Sequence, residues 1–342
     1  MPRRKPTIKR AAAAAHGRSP AGASIRSRHP DPKTVQAENH LNTLGKHLKA
    51  RFGTRVRKLS LHVGFTCPNR DGTLGRGGCT FCSVLSFNDG NPQASVSEQL
   101  AAGKAATNRA SRYLAYFQAY TNTYQEVEEL RRLYAEAMAQ ADIVGLCVGT
   151  RPDCVPDAVL EMLAAYRNQG YEVWLELGLQ SAHDVTLARV NRGHGFAAYA
   201  DAVARARRYG IPVCTHLILG LPEESPAMMV ETHARVLECG VEGLKLHPLM
   251  IVKGSRLAAD HARGRVAAPA LADYVATAAE LIRRTPAEVI FHRITATARE
   301  PMLIAPDWCH TRWPAADAIC ADLARKGGQG RHSCVQLATQ ST

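Results

Sequence analysis

Short runs rich in apolar and β-branched residues alternate along this chain with longer stretches in which apolar positions recur at helical spacing. The runs that predict strands are Val56–Phe65, Tyr113–Tyr120, Ile143–Val148, Glu172–Leu179, Val213–Leu219, Leu244–Leu249 and Val289–Ile294. The stretches that predict helices are Glu38–Arg51, Glu126–Gln140, Asp157–Gln169, Asp184–Val190, Phe196–Tyr209, Ser225–Glu238 and Ala270–Arg284. Because nearly every strand is followed by a helix, the pattern predicts an α/β fold with a parallel sheet and helices outside it.

Polar, Gly-rich and Pro-rich segments follow nearly every predicted strand. In (β/α) barrels the chemistry sits at these carboxyl ends of the strands, so we predict an open, partial, TIM-like barrel rather than a doubly wound sheet. The barrel domain is predicted to span residues 34–297. A disordered basic tail at 1–33 precedes it, and a C-terminal extension at 298–342 follows and packs over the open edge of the barrel.

Charge and composition narrow the class of protein. The formal net charge is +13, of which the eight Lys and Arg of the first 29 residues supply a large part, because no acid accompanies them. The rest of the chain permits a phosphate-bearing partner without requiring one. No apolar run approaches the roughly 20 residues of a membrane span, so we expect no membrane insertion. Ten cysteines in 342 residues are too sparse for a disulfide scaffold, and free thiols suit a reducing cytoplasm.

Three of the cysteines lie in one long glycine-rich loop, Thr66–Pro92. Eleven residues separate Cys67 from Cys79, and two separate Cys79 from Cys82. Thiolates suit zinc or an iron–sulfur cluster. A structural zinc site and a closed cluster both need four protein ligands, and this loop holds no fourth Cys or His. Three thiolates on a [4Fe–4S] cube leave one iron open, whereas a zinc site would need a distant fourth ligand.

The same loop carries a resemblance to a known family. The segment Gly64–Asn88, with its CPNRDG and GRGGCTFC runs, resembles the cluster loop of the radical S-adenosylmethionine (SAM) superfamily. It is specifically similar to the YhcC/YtqA-like group, relatives of the catalytic subunit of Elongator, and its long cysteine spacing departs from the usual CxxxCxxC. The resemblance extends from about residue 40 to the C-terminus. It implies a [4Fe–4S] cluster on Cys67, Cys79 and Cys82 that cleaves SAM reductively to a 5′-deoxyadenosyl radical.

Polar residues after the second and third strands are the first candidates for SAM binding. The resemblance implies that Gln118 and Asn122 lie where the superfamily binds the SAM amino group, although the usual Gly-Gly-Glu run is absent here. It also implies that Arg151 meets a carboxylate and Asp153 a ribose hydroxyl. The alternatives are a polar loop for the first two residues and, for the second two, an Arg–Asp pair at a helix start.

The later strands add further candidates. Glu176 lies within a strand, where a buried carboxylate needs a cationic or hydrogen-bonding partner such as SAM or an arginine. The resemblance implies that Gln180 lies near the SAM ribose or carboxylate and that Arg192 binds the carboxylate. His216 is either a cofactor contact or a satisfied core histidine. Lys245 either binds an anionic substrate group or extends to the rim.

The substrate follows only from the resemblance, which implies tRNA and the side chain of a wobble uridine. The alternative enzyme acts on a small molecule or a protein. A third hypothesis is a zinc-stabilised, noncatalytic RNA-binding protein, which accounts for the thiols and the charge but not for the SAM-like motifs. The expected partners of the radical SAM enzyme are an electron donor such as flavodoxin or ferredoxin and, for the RNA hypothesis, tRNA.

Overall fold

A seven-stranded parallel sheet forms the centre of the molecule. The computed structural model describes residues 37–86, 91–107, 110–298 and 300–332, so the predicted basic tail at 1–33 lies outside the described residues. The strands are β1 Val56–Leu61, β2 Arg112–Phe117, β3 Ile143–Thr150, β4 Glu172–Gln180, β5 Val213–Leu219, β6 Gly243–Pro248, β7 Ile251–Val252, β8 Ile290–Arg293 and β9 Leu303–Ala305. Their order in the main sheet is β1-β2-β3-β4-β5-β6-β8, with every pair parallel. This half-barrel confirms the predicted fold class and every predicted strand.

Helices connect the strands and cover the sheet. They are α1 Leu44–Phe52, α2 Pro68–Asp71, α3 Val96–Ala105, α4 Val127–Met138, α5 Asp157–Asn168, α6 Asp184–Arg189, α7 Phe196–Arg208, α8 Pro226–Glu238, α9 Arg256–Ala262, α10 Leu271–Arg284 and α11 Trp313–Lys326. Side chains begin several of them: the Ser225 hydroxyl accepts from an early amide of α8, and Ser95 forms a capping box with Glu98 in α3. Within the described ranges, no helix is both long and apolar enough to cross a membrane.

An apolar layer closes the barrel at the amino ends of the strands. Leu44 and Leu48 of α1 pack there against Val56, Trp174 and Ile290, which begin or lie near the beginning of β1, β4 and β8. Because this layer fills the interior from below, the space inside the barrel opens only toward the carboxyl ends of the strands. The same end carries the loops that hold the predicted functional residues.

The two edge strands, β1 and β8, do not pair with each other. The chain before α1 pairs with β8 instead, and the Phe291 amide donates to the Asn42 carbonyl oxygen at 2.8 Å. From the C-terminal stretch, the Gln329 side chain donates to the carbonyl oxygens of Pro286 and Val289 at 2.6 and 2.8 Å. Residues before and after the barrel therefore meet at β8. The domain boundaries at 33/34 and 297/298 stay predictions.

Several short elements were not predicted. The loop Thr66–Pro92 contains α2 and a 3-10 turn at Val84–Ser86, and α3, α9, α11 and the antiparallel β7–β9 pair lie in segments without an assigned element. Short helices are marginal on their own and form because they pack against the rest of the protein. In α9, for example, the Leu257 amide donates to the carbonyl oxygen of Thr80 in the cysteine loop at 3.0 Å.

Candidate active site

A cavity of about 570 Å³ opens at the carboxyl ends of the strands. This volume is within the range of about 300–1,000 Å³ that is typical of small-molecule sites. Nine of the eleven predicted site residues line it: Cys67, Cys79, Cys82, Gln118, Arg151, Glu176, Gln180, Arg192 and His216. Asn122 and Asp153 are absent from the described lining. The fold therefore brings together residues from or directly after four neighbouring strands, β2 to β5, with Arg192, which follows α6, and the cysteine loop.

The cysteine loop turns tightly below the cavity mouth. Cys67 precedes the single turn of α2, and the Cys82 amide donates to the Cys79 carbonyl oxygen at 3.0 Å, so all three thiols come to the same cavity. Gly78 has φ +74°, and a Cβ there would lie 2.7 Å from Nε of Arg70. A residue with a side chain is therefore disfavoured twice at this position, by backbone conformation and by space.

Two asparagines hold this loop against the end of α6. The Asn69 side-chain amide donates to the Asn191 backbone carbonyl oxygen, and the Asn191 side-chain amide donates to the Gly78 carbonyl oxygen at 2.8 Å. Asn191 has φ +52°, a left-handed conformation that asparagine tolerates better than most residues. These two hydrogen bonds are not among the predicted features of the loop. The sequence feature that could have indicated these contacts is an Asn followed directly by an Arg in both segments, at Asn69-Arg70 and at Asn191-Arg192.

Arginines lie against the thiols. Nη1 of Arg192 is 3.4 Å from Sγ of Cys79, and its other nitrogens donate to the Gly178 carbonyl oxygen. Arg70 donates through Nη2 to the Cys82 carbonyl oxygen at 3.0 Å. Burial, and then the neighbouring Cys79 thiol, raise the pKa of Cys82. Two guanidinium groups are thus placed where deprotonated thiols would concentrate negative charge.

The predicted pair Arg151 and Asp153 is present as an ion pair. Nε and Nη2 of Arg151 donate to the two carboxylate oxygens of Asp153 at 2.9 and 2.8 Å, and Nη1 donates to the Arg192 carbonyl oxygen at 2.8 Å. Arg151 is 2% exposed and lines the cavity, whereas Asp153 faces an adjoining groove. The alternative of an Arg–Asp pair at a helix start describes this geometry, and Asp153 is not positioned to meet a ribose in the cavity.

Asn122 does not line the described part of the cavity either. Its side-chain amide donates to the Gly149 carbonyl oxygen at 2.8 Å, and its own carbonyl oxygen accepts from the Tyr134 hydroxyl at 2.6 Å. The residue is fully buried. These contacts tie the turn after β2 to β3, which is the polar-loop alternative for this residue. Gln118, in contrast, lines the cavity.

Gln180 ends β4 in a strained conformation. Its φ is +82°, and the pairing of β4 with β5 shifts register between Gly178 and Gln180. A positive φ in a residue other than glycine costs roughly 1–3 kcal/mol and persists where surrounding contacts enforce it, often at functional sites. The strain directs the start of the following loop. Gln180 lines the cavity, and its contact with SAM stays a prediction.

Glu176 has protein partners on four other strands. Its Oε2 lies 2.9 Å from Nζ of Lys245 and 2.8 Å from Nε2 of His216, and its Oε1 contacts Nζ of Lys58 and lies 3.2 Å from Nδ1 of His292. The carboxylate is fully buried, yet the two ammonium groups outweigh the cost of burial and hold its pKa well below the usual value. Glu176 thus has cationic partners, as its position in a strand predicts, but these partners are two lysines rather than SAM or an arginine.

The groups around Glu176 differ in charge. Burial, and next the Lys245 charge, lower the pKa of His216 to about 4, so this ring is neutral near pH 7. Burial lowers the pKa of Lys245 to about 8, although Glu176 opposes the shift. Lys245 also donates to the Tyr116 hydroxyl at 2.8 Å. His216 is hydrogen-bonded to Glu176 in the barrel interior, which is the alternative of a satisfied histidine. It also lines the cavity, and a cofactor contact stays a prediction.

Lys58, Tyr116 and His292 were missed as site residues. Lys58 lies two positions after Val56, so its side chain points to the same inner face of β1. The available signal was Glu176 itself, because a carboxylate on an inward strand position requires cations on inward positions of other strands. Lys58 and Lys245 are lysines within predicted strands and meet that requirement.

Comparison with known proteins agrees with this architecture. Residues 66–236 match the radical SAM superfamily and residues 241–325 match the radical SAM C-terminal domain. The chain belongs to the radical SAM superfamily and is an enzyme of that class. Members of the superfamily typically bind a [4Fe–4S] cluster and SAM.

Individual relatives place it within the superfamily. The chain is 57% identical to Protein YhcC of Escherichia coli strain K12 over 86% of this chain and 96% of the relative, and 39% identical to YtqA of Bacillus subtilis strain 168 over 86% and 93%. A tRNA uridine(34) acetyltransferase of Dehalococcoides mccartyi is 36% identical over 35% of this chain and 26% of its own length. The archaeal Methanocaldococcus infernus Elp3 structure has a TM-score of 0.58 at 17% identity, covering 80% of this chain and 63% of that one. The predicted YhcC-like group, related to Elongator, is confirmed.

Proposed function

We propose that Cys67, Cys79 and Cys82 bind a [4Fe–4S] cluster and that the enzyme cleaves SAM in the adjoining cavity. The observation that carries the proposal is the convergence of these three thiols on one cavity with Gln118, Gln180 and two arginines. When bound and reduced, such a cluster supplies the electron that breaks a sulfonium S–C bond of SAM and releases a 5′-deoxyadenosyl radical.

The number of thiols supports a cluster over a single zinc ion. A structural zinc ion takes four protein ligands, and among the described residues Cys67, Cys79 and Cys82 are the only cysteines in the cavity lining. Three thiolates on a [4Fe–4S] cube leave the fourth iron for SAM. A separate group of possible ligand atoms, from Glu176, Cys214 and His292, lies within 4.8 Å of one another. The Glu176 group is already paired with two lysines, so we assign no metal to it.

The chain's own residues have distinct parts in this proposal. Arg192, beside Sγ of Cys79, offsets the negative charge of the thiolates. Gln118 and Gln180 are the proposed hydrogen-bond partners of SAM, because they line the cavity. Arg151 holds the Arg192 carbonyl oxygen through Nη1 and is a positioning residue, since Asp153 occupies its other nitrogens.

The proposed substrate is tRNA, at a wobble uridine. A distant relative is a tRNA uridine(34) acetyltransferase, and the basic charge of the chain is compatible with a phosphate-rich partner. A small-molecule substrate is the second candidate, because a cavity of about 570 Å³ is of the size that small ligands occupy. The proposed electron donor is a flavodoxin or a ferredoxin, and the proposed compartment is the cytoplasm.

The chemistry is tested by measuring 5′-deoxyadenosine. The full chain is purified and reconstituted without oxygen, reduced with dithionite and incubated with SAM. We expect release of 5′-deoxyadenosine from the wild type and from the control Cys154→Ser, whose thiol is absent from the described cavity lining. Cys82→Ser is expected to release none. A wild-type protein that carries a complete cluster and releases no 5′-deoxyadenosine would overturn the proposed activity.

The substrate is tested separately in cells. Nucleosides from the tRNA of a deletion strain are compared with those of its parent by mass spectrometry. The tRNA proposal predicts loss or accumulation of one modified uridine, restored by the wild-type gene and not by one encoding Cys82→Ser. Identical nucleoside profiles contradict the tRNA proposal and favour the small-molecule substrate.

A further inference from the structure

The cavity is lined by an excess of positive charge. Among the described residues, seven cationic side chains line it and Glu176 supplies the only carboxylate. The cations are Lys58, Arg70, Arg151, Arg192, Lys245, Arg293 and Arg312. A concave site lined by one sign of charge attracts ligands of the opposite sign.

Most of these cations already have partners. Arg70 and Arg192 contact the cysteine loop, Arg151 pairs with Asp153, and the two lysines share Glu176. Arg312 stacks on Trp313 with its guanidinium carbon 4.6 Å from the ring centre. Arg293 forms no ion pair with any described residue and is solvent-exposed, although it lines the cavity. Within the described part of the chain, its charge is therefore available to a ligand.

The strand pairing places Arg293 beside Lys245. In the β6–β8 ladder Leu244 pairs with Phe291 and Lys245 pairs with Arg293, so the register skips His292. A bulge of this kind redirects side chains, and here both His292 and Arg293 line the cavity. Two lysines share a single carboxylate just below, so the region under Arg293 keeps a net positive charge.

His247 supplies a hydrogen-bonding group at the same place. It lies two positions after Lys245 on β6, lines the cavity, and its ring centre is 5.8 Å from that of His216. Its Nε2 is buried and has no hydrogen-bond partner among the described residues. Burial, followed by the charge of Arg293, holds the pKa of His247 well below its usual value, so the ring is neutral. A buried polar atom of this kind is costly unless a ligand satisfies it.

We propose that Arg293 and His247, above Lys245, bind an anionic group of the substrate, a phosphate or a carboxylate. This inference rests on the proposed function, because it assigns the β6–β8 side of the cavity to the substrate and the thiol side to the cofactors. A guanidinium binds either anion through paired N–H donors, which a bare ammonium cannot do as specifically. The site selects substrates that carry a negative charge close to the atom on which the radical acts.

Anion binding is tested on the full chain by calorimetric titration at constant ionic strength, with inorganic phosphate and with succinate as separate probes. We expect Arg293→Gln to weaken binding of the preferred probe about tenfold and Arg293→Lys to weaken it less. Arg208→Gln is the matched control, because Arg208 is an exposed residue of α7 outside the described cavity lining. Wild-type protein that binds neither probe more tightly than Arg293→Gln overturns the inference.

A third titration with a short anticodon stem-loop RNA identifies the source of the anion. If Arg293→Gln weakens RNA binding more than Arg208→Gln does, the anion is an RNA phosphate. If the two substitutions weaken RNA binding equally while phosphate or succinate still binds at Arg293, the anion belongs to a small molecule. These titrations require neither reductant nor SAM. Failure of 5′-deoxyadenosine release with retained anion binding therefore removes the proposed function and leaves the anion site, whereas the reverse result removes only the anion site.

Discussion

Nζ of Lys245 lies 2.9 Å from Oε2 of Glu176 in the interior of the barrel. Lys245 is on β6 and Glu176 on β4, and β5 lies between these two strands. Lys58 contacts the other carboxylate oxygen. One buried carboxylate thus compensates two ammonium groups in the lining of the cavity. Glu176 and its partner His216 are themselves predicted site residues, so the network is part of the candidate site.

Removing that carboxylate should destabilise the protein strongly. Glu176→Gln leaves the buried ammonium group of Lys245 and the partly buried one of Lys58 without a counter-charge. Breaking a buried ion pair costs about 3–5 kcal/mol. We expect the free energy of unfolding, measured by urea denaturation, to fall by roughly 3 kcal/mol or more. The control is Glu129→Gln, whose exposed pair with Arg132 should be worth less than about 1 kcal/mol. Equal losses of unfolding free energy in the two variants would show that the Glu176 network contributes no more to stability than an exposed ion pair.

Much of the fold and part of the site follow from the sequence, because both rest on local patterns. The strands were predicted from apolar runs, and the convergence of Cys67, Cys79 and Cys82 on one cavity agrees with their common loop. The partners of Glu176 were not identified, because Lys58 and Lys245 are 118 and 69 positions away along the chain. Only the register of the sheet brings such distant residues together.

Buried histidines should make the protein sensitive to mild acid. Burial, and then the Arg284 charge, lower the pKa of His233 to about 4, and its ring bonds to the Thr285 hydroxyl at 2.8 Å. Between pH 6.5 and 4 the unfolded chain binds a proton that the folded chain excludes, so stability rises with pH in that window and falls as the solution is acidified. We expect His233→Gln to reduce the slope of unfolding free energy against pH by about 1.4 kcal/mol per unit.

The same measurement has a matched control for the histidine. His332 is 47% exposed at the side chain, so His332→Gln is the control that removes one imidazole from the surface. The account of His233 fails if its substitution changes the slope no more than that of His332.

Arg192 should tune the proposed cluster. Its guanidinium lies 3.4 Å from Sγ of Cys79, and charge and hydrogen bonds at the sulfur ligands set the potential of a cluster. Arg192→Leu removes a positive charge that stabilises the more negative, reduced cluster. The midpoint potential should therefore become more negative, by roughly tens of millivolts. Redox titration followed by electron paramagnetic resonance measures the shift. Arg189→Leu changes the exposed arginine that ends α6 and pairs with Glu223, and it should leave the potential unchanged. Equal potentials in all three proteins would remove Arg192 from this role.

Two neighbouring glycines allow a sharp test of the loop. Gly77 and Gly78 both have positive φ, but a Cβ at Gly77 meets nothing within 4 Å, whereas one at Gly78 lies 2.7 Å from Nε of Arg70. Both alanine variants should lose roughly 1 kcal/mol of stability from backbone strain. Only Gly78→Ala should also displace Arg70 from the Cys82 carbonyl oxygen and lower the iron and sulfide retained after reconstitution. Equal iron retention in the two variants would contradict this assignment.

The central claim is that three thiolates hold a cluster whose fourth iron is open to SAM. The most direct measurement is the electron paramagnetic resonance spectrum of the anaerobically purified, dithionite-reduced protein, before and after addition of SAM, together with its iron and sulfide content. The account predicts about four irons and four sulfides per chain, as one [4Fe–4S] cluster requires, and a spectrum that changes when SAM binds the open iron. A protein that carries zinc without sulfide, or a cluster whose spectrum SAM leaves unchanged, would contradict it.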